Sequence, residues 1–462
     1  MAAPAEDAAP PTPAQCLAGG RVVYRLVNRN FADSNSFPFF LFSFMESIID
    51  LLSQQAVWEE FLAHRLLQGR FTWHEFDDAD SFVATEAYLQ TVQRLRRGEG
   101  PGLPQKKVVN KMGSGKKRVV YSFAPEEMAV LKLIAHQLYR YDDRFAPGCY
   151  AFRRGLRASD AIYHLRKALR GRRMWAYKLD IHNYFNSIPI PRLLPILREL
   201  LSDDPSLFAF FERLLSDDRA LCRGEIVREP RGVMAGTPTA PFLADVYLME
   251  VDRHFADAGV IYARYSDDII LFAPDRAALE AHKATLLEFL TRYGLEVNPD
   301  KERLYTPDEP FEFLGFRCHG SEIGISSVTL EKMKGKIRRA SHALMRWRAR
   351  KGLGAEQAMK ALIRQFNDKY FGGDDPTVLT WSRWFFPVIN RTDGLAELDH
   401  YMQQELRHLA TGRHTKVNYR IRYKDLKALG YRSLVHEYYR YRSANNPACS
   451  KSSEEANGLG TA

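Results

Sequence analysis

The sequence has few cysteines and no long hydrophobic run. Its five cysteines are Cys16, Cys149, Cys222, Cys318 and Cys449. No two of them form a C-x-x-C pair, which argues against a zinc site and favours idle thiols in a reducing compartment. The most apolar stretch, residues 37–45, is too short to span a bilayer, and residues 1–15 lack the basic start and apolar core of a secretory signal. These absences predict a cytoplasmic protein without a membrane partner.

Acidic side chains are outnumbered by basic ones. Lys and Arg number 66 and Asp and Glu number 56, which gives a formal charge of +10 over 462 residues. This excess favours a polyanionic partner. An acidic catalytic cluster can still lie inside a basic protein, because net charge does not describe a single pocket.

Composition divides the chain into five segments. Residues 1–18, rich in Ala and Pro, and the polar residues 444–462 are predicted to be disordered tails. Residues 19–95 are predicted to form an N-terminal helical extension. Residues 96–325 alternate strand and helix signals and carry the motifs described below. Residues 326–443 are predicted to be helical and are rich in Arg, Lys and Tyr.

One helix of the fourth segment can be predicted closely. Asp393 can cap it and Gly412 can end it. The apolar residues between them repeat at helical spacing: Leu395, Leu398, Met402, Leu406 and Leu409. This stripe indicates core packing and not a site.

Adjacent carboxylates lie at the turn of a predicted β-hairpin. Residues 262–272 (YARYSDDIILF) flank Asp267 and Asp268 with strand-favouring residues. Paired Asp in a turn is usually a solvated loop, so the motif alone is weak evidence of function. Upstream, residues 175–181 alternate as a strand that carries Asp180 at its end. An isolated charge at a buried strand end is costly, and a divalent metal shared with the hairpin would offset that cost.

A carboxylate cluster of this kind suits magnesium. A pair of Mg²⁺ ions about 3.5–4 Å apart can hold the attacking and leaving oxygens of a phosphoryl transfer. Mg²⁺ prefers oxygen ligands and keeps several waters, so a few carboxylates suffice. The sequence therefore predicts a two-metal site on Asp180, Asp267 and Asp268, with Mn²⁺ as the alternative ion.

The order and spacing of these motifs resemble the reverse transcriptases, especially the bacterial group of group II intron, retron and defence-associated enzymes. The turn that ends in Asp267 and Asp268 is similar to the family's Y-x-D-D motif. Asp180, followed five residues later by Phe185, is similar to a second family motif. The resemblance implies that Asp180 and Asp267 bind both metals and that Asp268 contributes less. It also implies that the Ile181 carbonyl completes one metal shell.

The same resemblance assigns Phe185 as the steric gate against a ribose 2′-hydroxyl. Plain core packing is the alternative for this side chain. Residues 106–123 predict two strands around Gly113-Ser-Gly115, and they resemble the family's fingers hairpin. The resemblance implies that Arg118 is the best triphosphate ligand and Lys117 the second, since Arg can bind phosphate bidentately. A solvated basic turn is the alternative.

Four further segments resemble family motifs. Residues 232–241 are similar to a motif that usually contains P-Q-G-S-P, and Gly236 would allow close backbone approach to template and nucleotide. Here Met234-Ala235 stands in place of Pro-Gln, which leaves an unusual mode of synthesis open. Lys301 would protonate the leaving pyrophosphate, with a surface lysine as the alternative. Leu314-Gly315 resembles the primer grip, and residues 152–155 resemble a fingers segment that contacts template.

The C-terminal block carries features of nucleic-acid binding. Its first predicted helix carries nine basic residues: Lys332, Lys334, Lys336, Arg338, Arg339, Arg346, Arg348, Arg350 and Lys351. A thumb helix along a primer–template duplex fits this charge, and a solvated amphipathic helix is the alternative. Tyrosines and arginines interleave over residues 419–442, where they could stack on RNA bases or pack a core. Residues 365–443 resemble defence-associated reverse transcriptases, and the comparison extends to their third type.

Taken together, the motifs predict an α+β right-hand polymerase with fingers, a palm built on an antiparallel sheet with helices, and a helical thumb. The predicted activity is RNA-templated addition of deoxynucleoside triphosphates to a 3′ end, with a dedicated noncoding RNA, a DNA product and a role in antiphage defence. A second protein or a homo-oligomer is left open as a partner. The alternatives are a template-independent polymerase on the same palm and a non-catalytic, maturase-like RNA scaffold.

Overall fold

The described part of the chain covers most of the predicted segments. The computed structural model describes residues 46–67, 73–110, 117–352, 354–372, 380–413 and 420–445. The predicted tail 1–18, the Gly113-Ser-Gly115 turn with Lys116, Tyr419 and residues 446–462 lie outside the described residues. None of the helices within these ranges is both long and apolar enough to cross a membrane.

Helices form the described N-terminal part. They are α1 (Ile48–Leu51), α2 (Gln55–Leu67), α3 (Trp73–Ala84) and α4 (Tyr88–Arg96). The buried carboxylate of Asp204 accepts hydrogen bonds from Ser47 Oγ at 2.6 Å, from the Ile48 N–H at 2.8 Å and from the Leu207 N–H at 3.0 Å. One acid thus caps helices from distant parts of the chain and joins the N-terminal helices to the rest.

The elements that surround the site follow in alternating order. The first group is β1 (Gln105–Asn110), β2 (Lys117–Ser122), α5 (Pro125–Gln137), α6 (Ala158–Ala168) and β3 (Trp175–Asp180). The second is α7 (Tyr184–Ser187), α8 (Ile190–Leu200), α9 (Pro205–Ser216), β4 (Arg219–Cys222), β5 (Glu225–Arg228), α10 (Ala240–Tyr247) and α11 (Met249–Asp257). The third is β6 (Ile261–Tyr265), β7 (Asp268–Ala273), α12 (Arg276–Arg292), β8 (Arg303–Tyr305), β9 (Phe311–Phe313), β10 (Phe316–His319) and β11 (Glu322–Ile325).

The described C-terminal part is helical. Its helices are α13 (Ser327–Lys351), α14 (Ala355–Phe371), α15 (Trp381–Phe385), α16 (Asp393–Thr411), α17 (Tyr423–Ala428) and α18 (Leu434–Asn445). The predicted helix is α16. It ends at Gly412, which adopts a left-handed conformation with φ of 71°. The predicted cap is wrong by one residue, since Thr392 is at the N-cap position and Asp393 is the first residue of the helix. All five residues of its predicted apolar stripe are buried.

Strands form three sheets in the described residues. The central sheet has the order β6-β7-β3-β8, and each neighbouring pair is antiparallel. A second sheet, β2-β1-β4-β5, carries the β1–β2 hairpin, and a third, β11-β10-β9, leads into α13. This is an α+β fold with a palm-like antiparallel sheet, a fingers hairpin beside it and a helical thumb after it.

The central sheet separates two hydrophobic cores. Tyr177 and Leu179 of β3 pack into the core that contains the N-terminal helices and α8 to α12. Ala176 of β3, with Ile270 and Phe272 of β7, packs into the core that contains α13 to α16. Side chains alternate along a strand, so Asp180 lies on the face of the sheet that Ala176 shares with the thumb helices.

Candidate active site

Three carboxylates meet at one end of the central sheet. Asp180 is the last residue of β3 and is directly paired with Asp268, the first residue of β7. Directly opposite residues in an antiparallel pair have Cβ atoms about 4.5–5.5 Å apart. The Ile181 N–H donates to the Asp267 carbonyl at 3.0 Å, which fixes the turn against the end of β3. The register of two strands therefore brings together acids that are far apart in the chain.

The turn itself is held in a demanding conformation. Tyr265 pairs with Asp268, so only Ser266 and Asp267 connect β6 to β7. Ser266 has φ of 62°. A positive φ at the first position is what the primed turns of two-residue hairpins require. The turn thus projects Asp267 beyond the last strand pair, beside Asp180.

Burial and nearby negative charge disfavour the charged forms of Asp267 and Asp268. Burial raises the pKa of Asp267, and the negative charge of Asp180 raises it further. Burial raises the pKa of Asp268 to about 6, although Lys178 opposes the shift. Lys178 Nζ lies 3.3 Å from Asp268 Oδ1, and Lys301 Nζ donates to Asp180 Oδ1 at 2.5 Å. The cluster therefore favours cations, and two lysines already lie against it.

The donor atoms fit a magnesium ion. Asp268 Oδ1 is buried beside Lys178 Nζ, 3.3 Å away, and this ion pair leaves lone pairs of the oxygen available to a cation. All candidate ligands are oxygens, and Mg²⁺ takes a few carboxylates and completes its shell with water and phosphate. Within the described ranges, no group of three or more His, Cys, Asp or Glu side chains could hold a metal ion in the present arrangement. An ion at these acids would therefore need further oxygen ligands, such as water and substrate phosphate.

A buried arginine supports the turn from below. Arg264 of β6 is 0% exposed, and its guanidinium donates to Asp245 Oδ1 at 3.0 Å and to both oxygens of Asp252, at 2.8 and 2.5 Å. It also reaches the Ser266 carbonyl at 3.4 Å. Burial raises the pKa of Asp245 to about 7, although Arg264 opposes the shift. This network fixes β6 to α10 and α11, and so it fixes the base of the Asp267 turn.

The fingers hairpin packs directly on the 232–241 loop. The Tyr121 N–H donates to the Ala235 carbonyl at 2.8 Å. Gly236 has φ of 102°, and a Cβ there would lie 3.1 Å from the Tyr121 carbonyl and 3.2 Å from Val120 Cβ. The Tyr121 hydroxyl and Lys106 both bind Glu229. Gly236 therefore admits the β2 strand, a contact that the sequence analysis did not anticipate.

The remaining predicted ligands surround the acids. Phe185 is half-buried and meets Phe152 edge-on, with ring centroids 6.2 Å apart. Arg118 and Lys117 are exposed on β2. The positive charge of Arg118 lowers the pKa of Asp267, against the larger effect of burial. The fingers hairpin therefore carries cationic charge towards the carboxylate cluster.

Left-handed backbone is concentrated in the motif loops. Within the described ranges, seven residues other than glycine have positive φ. Five of them lie in the predicted motifs: Phe152, Asn183, Met234, Ser266 and Leu314. Such conformations cost energy and cluster at functional sites in proteins. All five loops belong to the motifs that the sequence singled out.

The comparisons with known proteins agree with this geometry. Residues 106–318 match the family model described as reverse transcriptase (RNA-dependent DNA polymerase). These residues form a reverse transcriptase domain. The retron Mx65 reverse transcriptase of Myxococcus xanthus is 29% identical over 143 residues, which cover 29% of this chain and 33% of that protein. The Gag-Pro-Pol polyprotein of squirrel monkey retrovirus is 29% identical over 155 residues, which cover 33% of this chain and 7% of that protein.

Solved telomerase structures also match, at low similarity. Apo telomerase from Candida tropicalis has a TM-score of 0.41 and 12% identity, covering 71% of this chain and 69% of that chain. A form truncated from the C-terminal domain has a TM-score of 0.41 and 13% identity, covering 48% and 55%. The chain spans a third or less of the length of the curated relatives it matches.

Within the reverse transcriptase domain, sequence reasoning missed several supporting residues. Lys178 lies two positions before Asp180, and strand alternation could have placed it on the same face as the acid. Arg264 lies within the Y-x-D-D strand, but its partners Asp245 and Asp252 follow no local pattern. Glu229 is one of several charged residues in its loop, and no signal in the sequence distinguishes it.

Proposed function

We propose that this reverse transcriptase is an active RNA-templated DNA polymerase that adds deoxynucleotides to a 3′ end. The observation that carries the proposal is the meeting of Asp180, Asp267 and Asp268 at the open end of the central sheet. A protein that only binds RNA gains nothing from buried, mutually repelling acids facing phosphates. The cost of this cluster is understandable where divalent cations are used.

The three carboxylates and the Ile181 carbonyl would hold Mg²⁺, or Mn²⁺ in its place. When bound, a pair of such ions lowers the barrier to in-line nucleotidyl transfer by neutralising charge on the attacking and leaving oxygens. Asp180 and Asp267 are the proposed main ligands and Asp268 the lesser one.

The chain's own residues supply the remaining roles. Arg118, with Lys117 second, would bind the triphosphate, since both are exposed cations on the hairpin above the acids. Lys301 would give its proton to the leaving pyrophosphate; its side chain is half-exposed, and its ammonium donates a hydrogen bond to Asp180. Phe185, half-buried at the site, would exclude a ribose 2′-hydroxyl by its bulk.

The thumb helices carry charge suited to a nucleic-acid duplex. Burial lowers the pKa of Lys336 on α13, and the neighbouring cations Lys369, Arg339 and Lys332 lower it further. Cations that repel one another on a protein surface are stabilised by a polyanion. We propose that this surface of α13 and α14 lies along the primer–template duplex.

The proposed biological setting rests on the sequence resemblance alone. A dedicated noncoding RNA as template and a role in antiphage defence, of the third defence-associated type, remain proposals. A second protein or a second copy of the chain remains open as a partner.

A second candidate is template-independent synthesis on the same palm. Met234 packs partly buried against the core, and neither it nor Ala235 carries a side chain that could hydrogen-bond a template base or nucleotide. The family pattern has a Gln in this position. This departure favours a substrate contact that differs from that of the family.

Product sequencing separates these candidates. The purified protein, with any RNA that co-purifies, is given labelled deoxynucleotides and Mg²⁺, with and without prior ribonuclease treatment. The first proposal predicts a DNA product complementary to the bound RNA and lost after ribonuclease. A product with no complement in that RNA, formed after ribonuclease, would favour the second.

A pair of variants tests the site in the same assay. Asp267→Ala combined with Asp268→Ala should abolish incorporation, because both side chains are proposed metal ligands. Asp308→Ala, which removes an exposed carboxylate paired with Arg173, is the matched control and should retain activity. Normal incorporation by the double variant would refute the site, and normal biological function without incorporation would support the maturase-like scaffold.

A further inference from the structure

Lys178 lies beside the acids but belongs to no motif. It precedes Asp180 by two residues on β3, so both side chains point to the same face of the sheet. Its direct partner on β7 is Ile270, and Asp268 is the diagonal neighbour one step towards the turn. The ammonium reaches that neighbour, with Nζ 3.3 Å from Asp268 Oδ1.

The same side chain also touches the primer-grip hairpin. Lys178 Nζ lies 5.9 Å from the centre of the Phe313 ring. Phe313 is buried and is the last residue of β9, directly before Leu314 and Gly315. One ammonium thus contacts the second acid of the turn and the strand that leads into the grip.

The two lysines at the site differ in how they are held. Lys301 pairs with Asp180 from a short 3₁₀ turn, and its side chain is 46% exposed. Lys178 lies inside the central sheet, between β7 and β8, and its side chain is 20% exposed. Lys301 is thus the more exposed of the two, whereas Lys178 is fixed by the strand that also carries Asp180.

We propose that Lys178 is a built-in counter-cation of the carboxylate cluster, which holds Asp268 in place and competes with a divalent ion for that carboxylate. The inference rests on the proposed function, because it assumes that the acids bind a divalent ion. Lys178 is a positioning residue that acts through Asp268. It stabilises the protein while no ion is bound and weakens the binding of that ion.

Opposite effects on stability and on metal binding distinguish this role from simple packing. Removal of the ammonium leaves Asp268 facing the other acids without a counter-charge, so the metal-free protein should lose stability. The same removal takes away a positive charge that repels the incoming ion, so the ion should bind more tightly, by about tenfold or more. If Lys178 only packed the sheet, its removal would weaken metal binding instead, since a loosened site binds metal more weakly.

The test compares Lys178→Met, which keeps the chain length without the charge, with Lys178→Arg, which keeps the charge. Lys283→Met is the matched control on the other face of the sheet, where Lys283 Nζ lies 2.9 Å from Glu302 and 4.9 Å from the Tyr177 ring centre. Mn²⁺ binding is titrated by electron paramagnetic resonance, and urea unfolding is followed with and without Mg²⁺.

The inference predicts that Lys178→Met lowers the half-saturating Mn²⁺ concentration about tenfold. It also predicts an earlier unfolding midpoint without Mg²⁺ and recovery at saturating Mg²⁺. Lys178→Arg should behave as the wild type, and Lys283→Met should leave Mn²⁺ affinity unchanged. In an Asp268→Asn background, the effect of Lys178→Met on Mn²⁺ affinity should be smaller, because competition for the Asp268 carboxylate is gone and only the repulsion between ammonium and ion remains.

Unchanged or weaker Mn²⁺ binding by folded Lys178→Met would overturn the inference and leave the proposed function intact, provided that Asp180→Asn still abolishes binding. Wild-type protein that binds no Mn²⁺ at all would overturn both. If Lys178→Met does not fold, Lys178→Gln carries the same comparison, since it also removes the charge.

Discussion

Removal of the Arg264 guanidinium should destabilise the protein severely. Arg264 is 0% exposed, and its partners Asp245 and Asp252 are 2% and 0% exposed. In Arg264→Leu, two buried carboxylates lose their only basic partner in this network. Removing one member of a buried ion pair costs about 3–5 kcal/mol, because the remaining charge is uncompensated. The whole free energy of unfolding of a typical domain is only about 5–15 kcal/mol.

Urea unfolding at pH 7.5, followed by circular dichroism, measures this loss. The matched control is Arg173→Leu, which removes a surface pair with Asp308 whose side chains are 74% and 75% exposed. Exposed pairs contribute about 0–1 kcal/mol, so the control should change little. If Arg264→Leu costs less than about 1 kcal/mol, the network does not carry the charge compensation described, and the support of the Asp267 turn must come from elsewhere.

The other predictions concern pH, substrate choice and the fingers contact. Burial raises the pKa of Asp245 from 3.8 to about 7. Protonation of Asp245 therefore stabilises the folded protein fully below pH 3.8, and this contribution is lost as the pH rises through about 7. The free energy of unfolding should therefore fall between about pH 4 and pH 7, and Asp245→Asn should flatten this slope in urea titrations. An identical slope would refute the assignment. Phe185→Ala should raise kcat/KM for ribonucleotides at least tenfold relative to deoxynucleotides, and unchanged selectivity in steady-state incorporation would leave core packing as its role. Gly236→Ala should lower the free energy of unfolding by about 1–3 kcal/mol, because a φ of 102° is strained for alanine and its Cβ would lie 3.1 Å from the Tyr121 carbonyl. An unfolding midpoint equal to that of the wild type would contradict this contact.

Local patterns were sufficient for the features that the sequence predicted well. The alternation around Asp267 and Asp268 indicated a hairpin, and β6 and β7 form it with a two-residue turn. The α16 helix ends at Gly412, where the sequence predicted its end. The fold class is confirmed, and residues 106–318 match the family model that the order of the motifs predicted. For the hairpin and the helix, residues a few positions apart carry the signal.

Long-range register and burial could not be predicted in the same way. The contact between Lys178 and Asp268 depends on how β3 pairs with β7, and no residue near Lys178 specifies that register. Arg264 carries no sign in the sequence that it is fully buried between acids. Gly236 was expected to face the substrate, and its close contact with β2 depends on the path of the fingers hairpin. The roles assigned to the site residues remain predictions.

The central claim is that three distant acids together hold divalent cations. The most direct measurement is the number and affinity of Mn²⁺ ions bound per chain, by electron paramagnetic resonance, for the wild type, Asp180→Asn and Asp267→Asn. We expect saturable binding by the wild type and loss of that binding in both variants. Their unfolding midpoints should lie near or above that of the wild type, since each change removes a repelling charge. Equal Mn²⁺ binding by all three proteins would contradict this claim.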